Sequence, residues 1–537
     1  MRFLLLLLWS FFYAGWTGAT QVNPAQTKTV QEVSQWEVTE ISLQAQQQPA
    51  DPYAITVGAK FHHSNGRTLN IPAFYDGGST YRIRFSPPEA GQWEYTTYAS
   101  LPDLAGRTGQ LSVTEAEDEP GPLMIDPENP QKFVYGNGEP AFVNSFELDW
   151  VFALDYDNPD GIPKTEALVR HLKENGVNQI ILNVYAYDAT WGEKELIKSE
   201  HNFARPTAFP WGGTNEQPDH SVLNHEFFQR LDRVIAYLNE ENMLAHLMIY
   251  VWNKQVKWPE LGSAADDRYF QQVIKRYQAY PNVLWNFGKE ALSYDYTNAE
   301  HVAMRMRQLQ QLDGHDRLMT VHDFDFFDHY PDLVDYVAIQ SWTENIYGQM
   351  SLLRETFPNK PIFNIEHGAY VEGPNAVFEG SYTDPVVSLE RNYKCAFAGA
   401  YSNHYWQNMA WYQIIYNPWD QSESEQPHLE YIRYMTAFFE EQNFNELFPN
   451  PDFSVGYNLV NSDSTHYLFF LPAGGQVHGG MGASFAGKTV SIQYYDPLTG
   501  TYSETTEREQ KSGWLKLESP ADWSIEHFRL AVLKVID

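Results

Sequence analysis

Two short runs in the 537-residue sequence hold a carboxylate where it could do chemistry. Glu290 ends Trp285-Asn286-Phe287-Gly288-Lys289-Glu290, and Glu366 ends Phe363-Asn364-Ile365-Glu366, ahead of His367 and Gly368. Each follows an apolar stretch of strand character, so each side chain is offered at a strand end rather than packed within the strand. Carboxyl groups about 5–5.5 Å apart on opposite walls of one site act as nucleophile and acid/base when a glycosidic bond is hydrolysed with retained configuration. The plainer reading of either glutamate is an ion pair with a neighbouring Lys or Arg. Asp188 is a rival carboxylate at a comparable position.

Other polar and aromatic residues fall at the same kind of position. Glu147, Asp149 and Trp150 follow a first strand, Tyr185 and Tyr187 a second, and Trp252 and Asn253 a third. His322 and Asp323, Gln340 and Trp342, and His404 and Trp406 follow three more. Sugar rings have apolar faces that stack on aromatic side chains, so Tyr185, Trp252, Trp342 and Trp406 are candidate platforms, although any one of them could equally be core. Asn253, His322 and His404 are candidate partners for sugar hydroxyls. His246, His322, His367 and His404 invite comparison with a metal hydrolase, but no histidine lies in residues 141–150, where such barrels commonly begin their metal site. No metal and no cofactor is expected.

The spacing of apolar residues says what must hold these groups. Residues 224–239 place Phe227, Phe228, Leu231, Val234, Ile235 and Leu238 on one helical face, and the near-continuous apolar strand 244–251 follows at once. The same helix-then-strand unit recurs to residue 406. With Ala141-Phe142-Val143 as the first strand it makes eight, most economically an α/β fold of the (β/α)8 TIM-barrel type over residues 125–445. Barrel active sites lie at the C-terminal ends of the strands, which is where Glu290 and Glu366 fall. Residues 30–118 read instead as short strands at roughly ten-residue spacing, opening with Trp36-Glu37-Val38, and residues 452–537 do the same. Both are expected to be β-sandwiches, with 115–122 a linker.

Composition narrows the rest. Sixteen Trp, 34 Tyr and 32 Phe exclude a disordered or coiled-coil chain. A net charge of −33 argues against a nucleic-acid partner and against anionic membranes. The single cysteine, Cys395, excludes an intramolecular disulfide. Arg2, the apolar run 3–9 and the small residues Gly15, Gly18 and Ala19 make residues 1–20 a signal peptide, so export into the periplasm or the medium is expected. No later stretch has the apolar length of a membrane span.

Glutamates after strands four and seven resemble the large retaining clan of (β/α)8 glycoside hydrolases that includes many cellulases, mannanases and β-galactosidases. The run from Tyr277 through Pro281-Asn282-Val283-Leu284-Trp285 to Glu290 is more narrowly similar to apiosidase-like and agarase-like members. Phe74-Tyr75-Asp76-Gly77-Gly78, Arg82-Ile83-Arg84-Phe85-Ser86-Pro87 and Gly91-Gln92-Trp93 resemble the sandwich ahead of such barrels. Tyr495-Asp496-Pro497-Leu498-Thr499-Gly500 resembles their trailing collagen-binding-type module.

The resemblance implies Glu290 as acid/base and Glu366 as nucleophile, in an exported retaining enzyme acting on β-glycosidic bonds of a plant or algal polysaccharide or its oligosaccharides. The clan usually has Asn before the acid/base, where it binds the sugar 2-hydroxyl. Here that residue is Lys289, with Asn286 the nearest amide that could substitute. Lys289, helped by Lys254 and Lys257, would suit a sulfated galactan. The rival from another class is a non-catalytic carbohydrate-binding or adhesion protein on the same barrel.

Overall fold

The computed structural model describes residues 30–189, 197–294, 296–370, 381–382, 384–406, 413–422, 426–450 and 456–537. The expected signal peptide lies outside the described residues.

At the centre are eight parallel strands: β1 (Asn144–Glu147), β2 (Gln179–Asn183), β3 (Leu244–Val251), β4 (Val283–Lys289), β5 (Met319–His322), β6 (Val337–Gln340), β7 (Ile362–Glu366) and β8 (Tyr401–His404). Their order is β5-β4-β3-β2-β1-β8-β7-β6, so every strand pairs with its neighbour in sequence except at one seam, between β5 and β6. Short bonds bridge that seam. Asp335 takes the Met319 N–H on its carboxylate at 2.7 Å and gives its own N–H to the Met319 carbonyl at 2.9 Å. Thr320 donates its hydroxyl to the Tyr336 carbonyl at 2.8 Å. The sheet is a (β/α)8 barrel closed at that point partly by side chains.

Among the described residues, eight helices of six residues or more clothe it: α1 (Pro163–Glu174), α2 (His225–Glu240), α3 (Ala264–Tyr277), α4 (Ala299–Leu312), α5 (Phe324–His329), α6 (Ile346–Thr356), α7 (Pro385–Phe397) and α8 (Leu429–Glu441). Their starts are written locally. Asn224, Ser263, Asn298 and Asp384 each accept a backbone N–H of the first turn of α2, α3, α4 and α7. The six apolar residues of α2 named above are all buried, as is every residue of β3. Cys395 lies buried on α7.

The first strand differs from expectation. Ala141-Phe142-Val143 precedes β1, and Pro140–Ala141 pairs with Phe133–Tyr135 in a small three-stranded sheet with Leu123–Ile125. The run is apolar because Phe142 packs on Phe439 and Phe444, with ring centroids 4.8 and 5.0 Å away, at the N-terminal end of the barrel.

The N-terminal module is two facing sheets, of five and three strands, around Phe61, Phe85 and Trp93. Trp36-Glu37-Val38 is not a strand but the turn between Val30–Ser34 and Thr39–Gln44, with Trp36 at φ 65°. Its strongest tie to the barrel uses the motif residues of the sequence. Arg84 reaches Asp232 of α2 at 2.6 Å, Arg276 of α3 reaches Asp232 at 2.7 Å and Asp76 at 2.9 Å, and Phe74 lies against both guanidinium groups. The C-terminal module has a seven-stranded sheet and a two-stranded ribbon. It shares one apolar cluster with the barrel, running from Phe397 and Phe439 to Phe470 and Phe528.

Burial alone would raise the Asp232 carboxyl, but Arg276 and Arg84 hold it down at about 2. A carboxyl lowered by folding adds stability above its unfolded range and loses it as pH falls through the folded value. Asp232→Asn is therefore expected to destabilise the chain at neutral pH by about 2–3 kcal/mol. The gap from wild type should narrow between about pH 4 and about pH 2. Denaturant unfolding across that range checks it, and a pH-independent gap would refute the charge pairing.

Candidate active site

β4 delivers its last residues through an irregularity. Asn286 pairs with Thr320 and Lys289 with His322, so β4 spends three residues where β5 spends two. An extra residue of this kind re-aims the side chains beyond it. Strict alternation would send Lys289 outward with Phe287. The shift instead turns it into the barrel, where it lies between Glu147 of β1, at 2.7 Å, and Glu366 of β7, in direct contact. All three side chains are at most 2% exposed. Burial alone would push the Lys289 ammonium down, but Glu147, Glu366 and Asp149 push it up well above its ordinary value. It is a fixed cation. Asn403 of β8 donates to the Ile365 carbonyl at 3.0 Å and to Glu147 at 3.4 Å, fixing the far carboxylate.

Glu290, the next residue, sits in the left-handed region at φ 60°, which costs a non-glycine residue energy unless its surroundings enforce it. Asp323, just past β5, enforces it by accepting the N–H groups of Ala291 and Leu292 at 2.9 and 3.2 Å. Burial, and next the charge of Glu366, push the Glu290 carboxyl up to about 7 against the pull of Lys289 and Lys254. The site therefore holds one carboxyl poised to carry a proton near neutrality, and another in contact with a permanent cation. That division is what acid/base and nucleophile require.

Of the other residues expected here, His322 has Nε2 3.9 Å from a Glu366 oxygen, and burial, then Lys289, keeps its imidazole neutral. Trp342 is half-buried with its ring 6.2 Å from Tyr405, which itself lies 5.7 Å from the Lys289 ammonium. Trp252 donates its main-chain N–H to the Lys289 carbonyl at 3.2 Å, and half-buried Asn253 follows it.

Four more of the expected residues lie within the packed wall of the barrel mouth. The Asn286 amide is fully buried, 3.0 Å from His246 and accepting the Gly288 N–H at 3.1 Å. Tyr185 is packed among Phe152, Trp211 and Trp258. His404 lies against Phe146, and Trp406 is 1% exposed. All four are buried. Asp188 is committed to its own loop, accepting from Ala189 N–H and Arg205 Nε, both at 2.8 Å. Lys254 is buried against Asp149 at 3.1 Å, as Lys289 is against Glu147 and Glu366. Among the described residues no three His, Cys, Asp or Glu are grouped to hold a metal ion. Sequence reasoning placed Glu147 and Asp323 at the cleft but missed their work as anchor and turn-holder, and it missed Asn403 and Tyr405 altogether.

Residues 128–446 match the family described as apiosidase-like, catalytic domain. The chain belongs to the apiosidase-like family. Residues 32–100 match a domain of unknown function, DUF5060. No curated protein sequence matches the chain. Among solved structures, a provisionally assigned glycoside hydrolase from Bacteroides vulgatus ATCC 8482 is similar over 94% of this chain and 100% of its own, with 18% identity and a TM-score of 0.76. A family 5 glycoside hydrolase from the same organism covers 78% of this chain and 95% of its own, with 13% identity and a TM-score of 0.57. These two likenesses are of fold. With the apiosidase-like catalytic domain on this barrel, the chain is a glycoside hydrolase.

Lys289 is the test of the geometry. Lys289→Met leaves Glu147 and Glu366 buried together without their cation, and two such carboxylates do not both stay ionised. Turnover of an activated aryl glycoside, which needs little help from an acid, is expected to fall at least a hundredfold (about 3 kcal/mol) near neutrality and to recover partly as pH rises. An unchanged pH–rate profile would show that the ammonium is dispensable.

Proposed function

We propose that the chain is an exported retaining β-glycosidase that works by double displacement on a plant or algal polysaccharide or its oligosaccharides. The observation that carries this is the split between the two glutamates: Glu290 pushed up to about 7, and Glu366 in contact with the Lys289 ammonium.

In the first step a Glu366 oxygen attacks the anomeric carbon. The bond to the leaving oxygen breaks, and that oxygen takes the Glu290 proton. Glu366 is now an uncharged ester. The second-largest influence raising Glu290 has gone, while Lys289 and Lys254 still pull it down. Glu290 becomes more acidic at the moment it must act as base, when it deprotonates water that attacks the anomeric carbon and releases Glu366. His322, held neutral, adds no competing cation beside the nucleophile.

A general acid must be protonated to work, so kcat/KM on a glycoside with a poor leaving group is expected to fall as pH rises through about 7. A pH–rate profile reads this directly. Glu366→Gln should abolish turnover by about three orders of magnitude or more with the fold intact. Glu290→Ala should spare activated aryl glycosides and respond to azide. Proton NMR of the first-formed anomer decides retention, and an inverted product would refute the double displacement.

A further inference from the structure

Double displacement removes a charge from the centre of the buried cluster and later restores it. Among the described residues the Lys289 ammonium forms ion pairs with two carboxylates, Glu147 at 2.7 Å and Glu366 in direct contact. While Glu366 carries the sugar as an ester it has no charge, and Glu147 is the carboxylate left on the cation. A buried ammonium that loses its counterion is far more costly than one that keeps it. Asp149 cannot step in, because it is engaged with Lys254 at 3.1 Å.

Glu147 is held for that moment. Lys289 takes one of its oxygens, and the other accepts from the Asn403 amide at 3.4 Å. Its side chain is 1% exposed, so it acts on Glu366 only through the lysine between them. Burial pushes its carboxyl up, Lys289 pulls against that, and Asp149 and Glu366 add to the push. Esterification of Glu366 removes one push and leaves the pull of Lys289. Glu147 is thus more fully an anion in the glycosyl-enzyme than in the free enzyme.

We infer that Glu147 is a positioning residue for the covalent step, taking over the Lys289 charge when Glu366 is esterified and so stabilising the glycosyl-enzyme. The step balances without another group. A Glu366 oxygen bonds the anomeric carbon, the leaving oxygen departs with the Glu290 proton, and the negative charge passes from Glu366 to Glu290. The inference rests on Glu366 being the nucleophile.

The test labels wild type, Glu147→Gln and Glu147→Asp with the 2-fluoro dinitrophenyl analogue of the aryl β-glycoside that wild type cleaves fastest. Free Glu147→Gln keeps the Lys289–Glu366 pair; its labelled form does not. The quantity read is the change in thermal midpoint on labelling, which a merely structural loss leaves alone because it lowers free and labelled forms alike. For Glu147→Gln that change is expected to lie at least about 3 °C below the change in wild type. Labelling should also be about tenfold slower, with Glu147→Asp recovering part of both effects. Asn403→Ser, which withdraws the amide from the other Glu147 oxygen, should shift the midpoint change in the same direction, and it carries the comparison if Glu147→Gln does not fold. Equal midpoint changes in wild type and the variants, with the label on Glu366, would overturn the role of Glu147 alone. Failure of peptide mass spectrometry to find the wild-type label on Glu366 would refute the nucleophile, and this inference with it.

Discussion

One ammonium group organises the mouth of this barrel. A buried cation is tolerated only when it is paired and held by good geometry, and Lys289 meets both conditions by lying between Glu147 and Glu366. The arrangement draws on four strands: β1 for one carboxylate, β4 for the lysine, β7 for the other carboxylate and β8 for Asn403, which anchors the first. None of these groups could be buried singly without a large cost, so the polar cluster and the closed barrel presuppose each other. Where the clan places an amide before its acid/base, this chain places a charge, and that charge faces Glu366.

The same economy appears where the modules join. Asp232 is shared by Arg84 of the sandwich and Arg276 of the barrel, with Phe74 beneath both. Residues that read in the sequence as the signature of a separate module are in fact its seam with α2 and α3. The C-terminal module is joined by the opposite means, a continuous apolar cluster through α8.

Much of this was legible in the chain. The barrel could be read because each helix carries its apolar stripe and each buried strand its uninterrupted run, as α2 and β3 show. Glu290 and Glu366 could be read because a carboxylate directly after such a run has little place but the rim. The inward turn of Lys289 could not. Alternation along β4 sends it outward, and only the extra residue between Asn286 and Lys289 reverses it. Its partner Glu147 lies 142 positions away, with no local trace of the pairing. The burial of Trp406, Tyr185 and Asn286 could not be read for the complementary reason: position at a strand end does not say which way a side chain faces. The apolar run 141–143 misled because burial under a small sheet leaves the same pattern as burial within a barrel.

The position of the seam has a mechanical consequence. In the strand order, β4 stands one place in from the free edge at β5, and β7 one place in from the free edge at β6. The direct route from Glu290 to Glu366 thus crosses the one break in the strand ladder among the described residues. The unbroken route runs the long way, through β3, β2, β1 and β8. On that short side the two carboxyls are linked by the Asp335 and Thr320 bonds across the break, and across the lumen Lys289 reaches Glu366. A barrel whose strand ladder is continuous around most of its circumference is joined partly by side chains along the line between these two carboxyls.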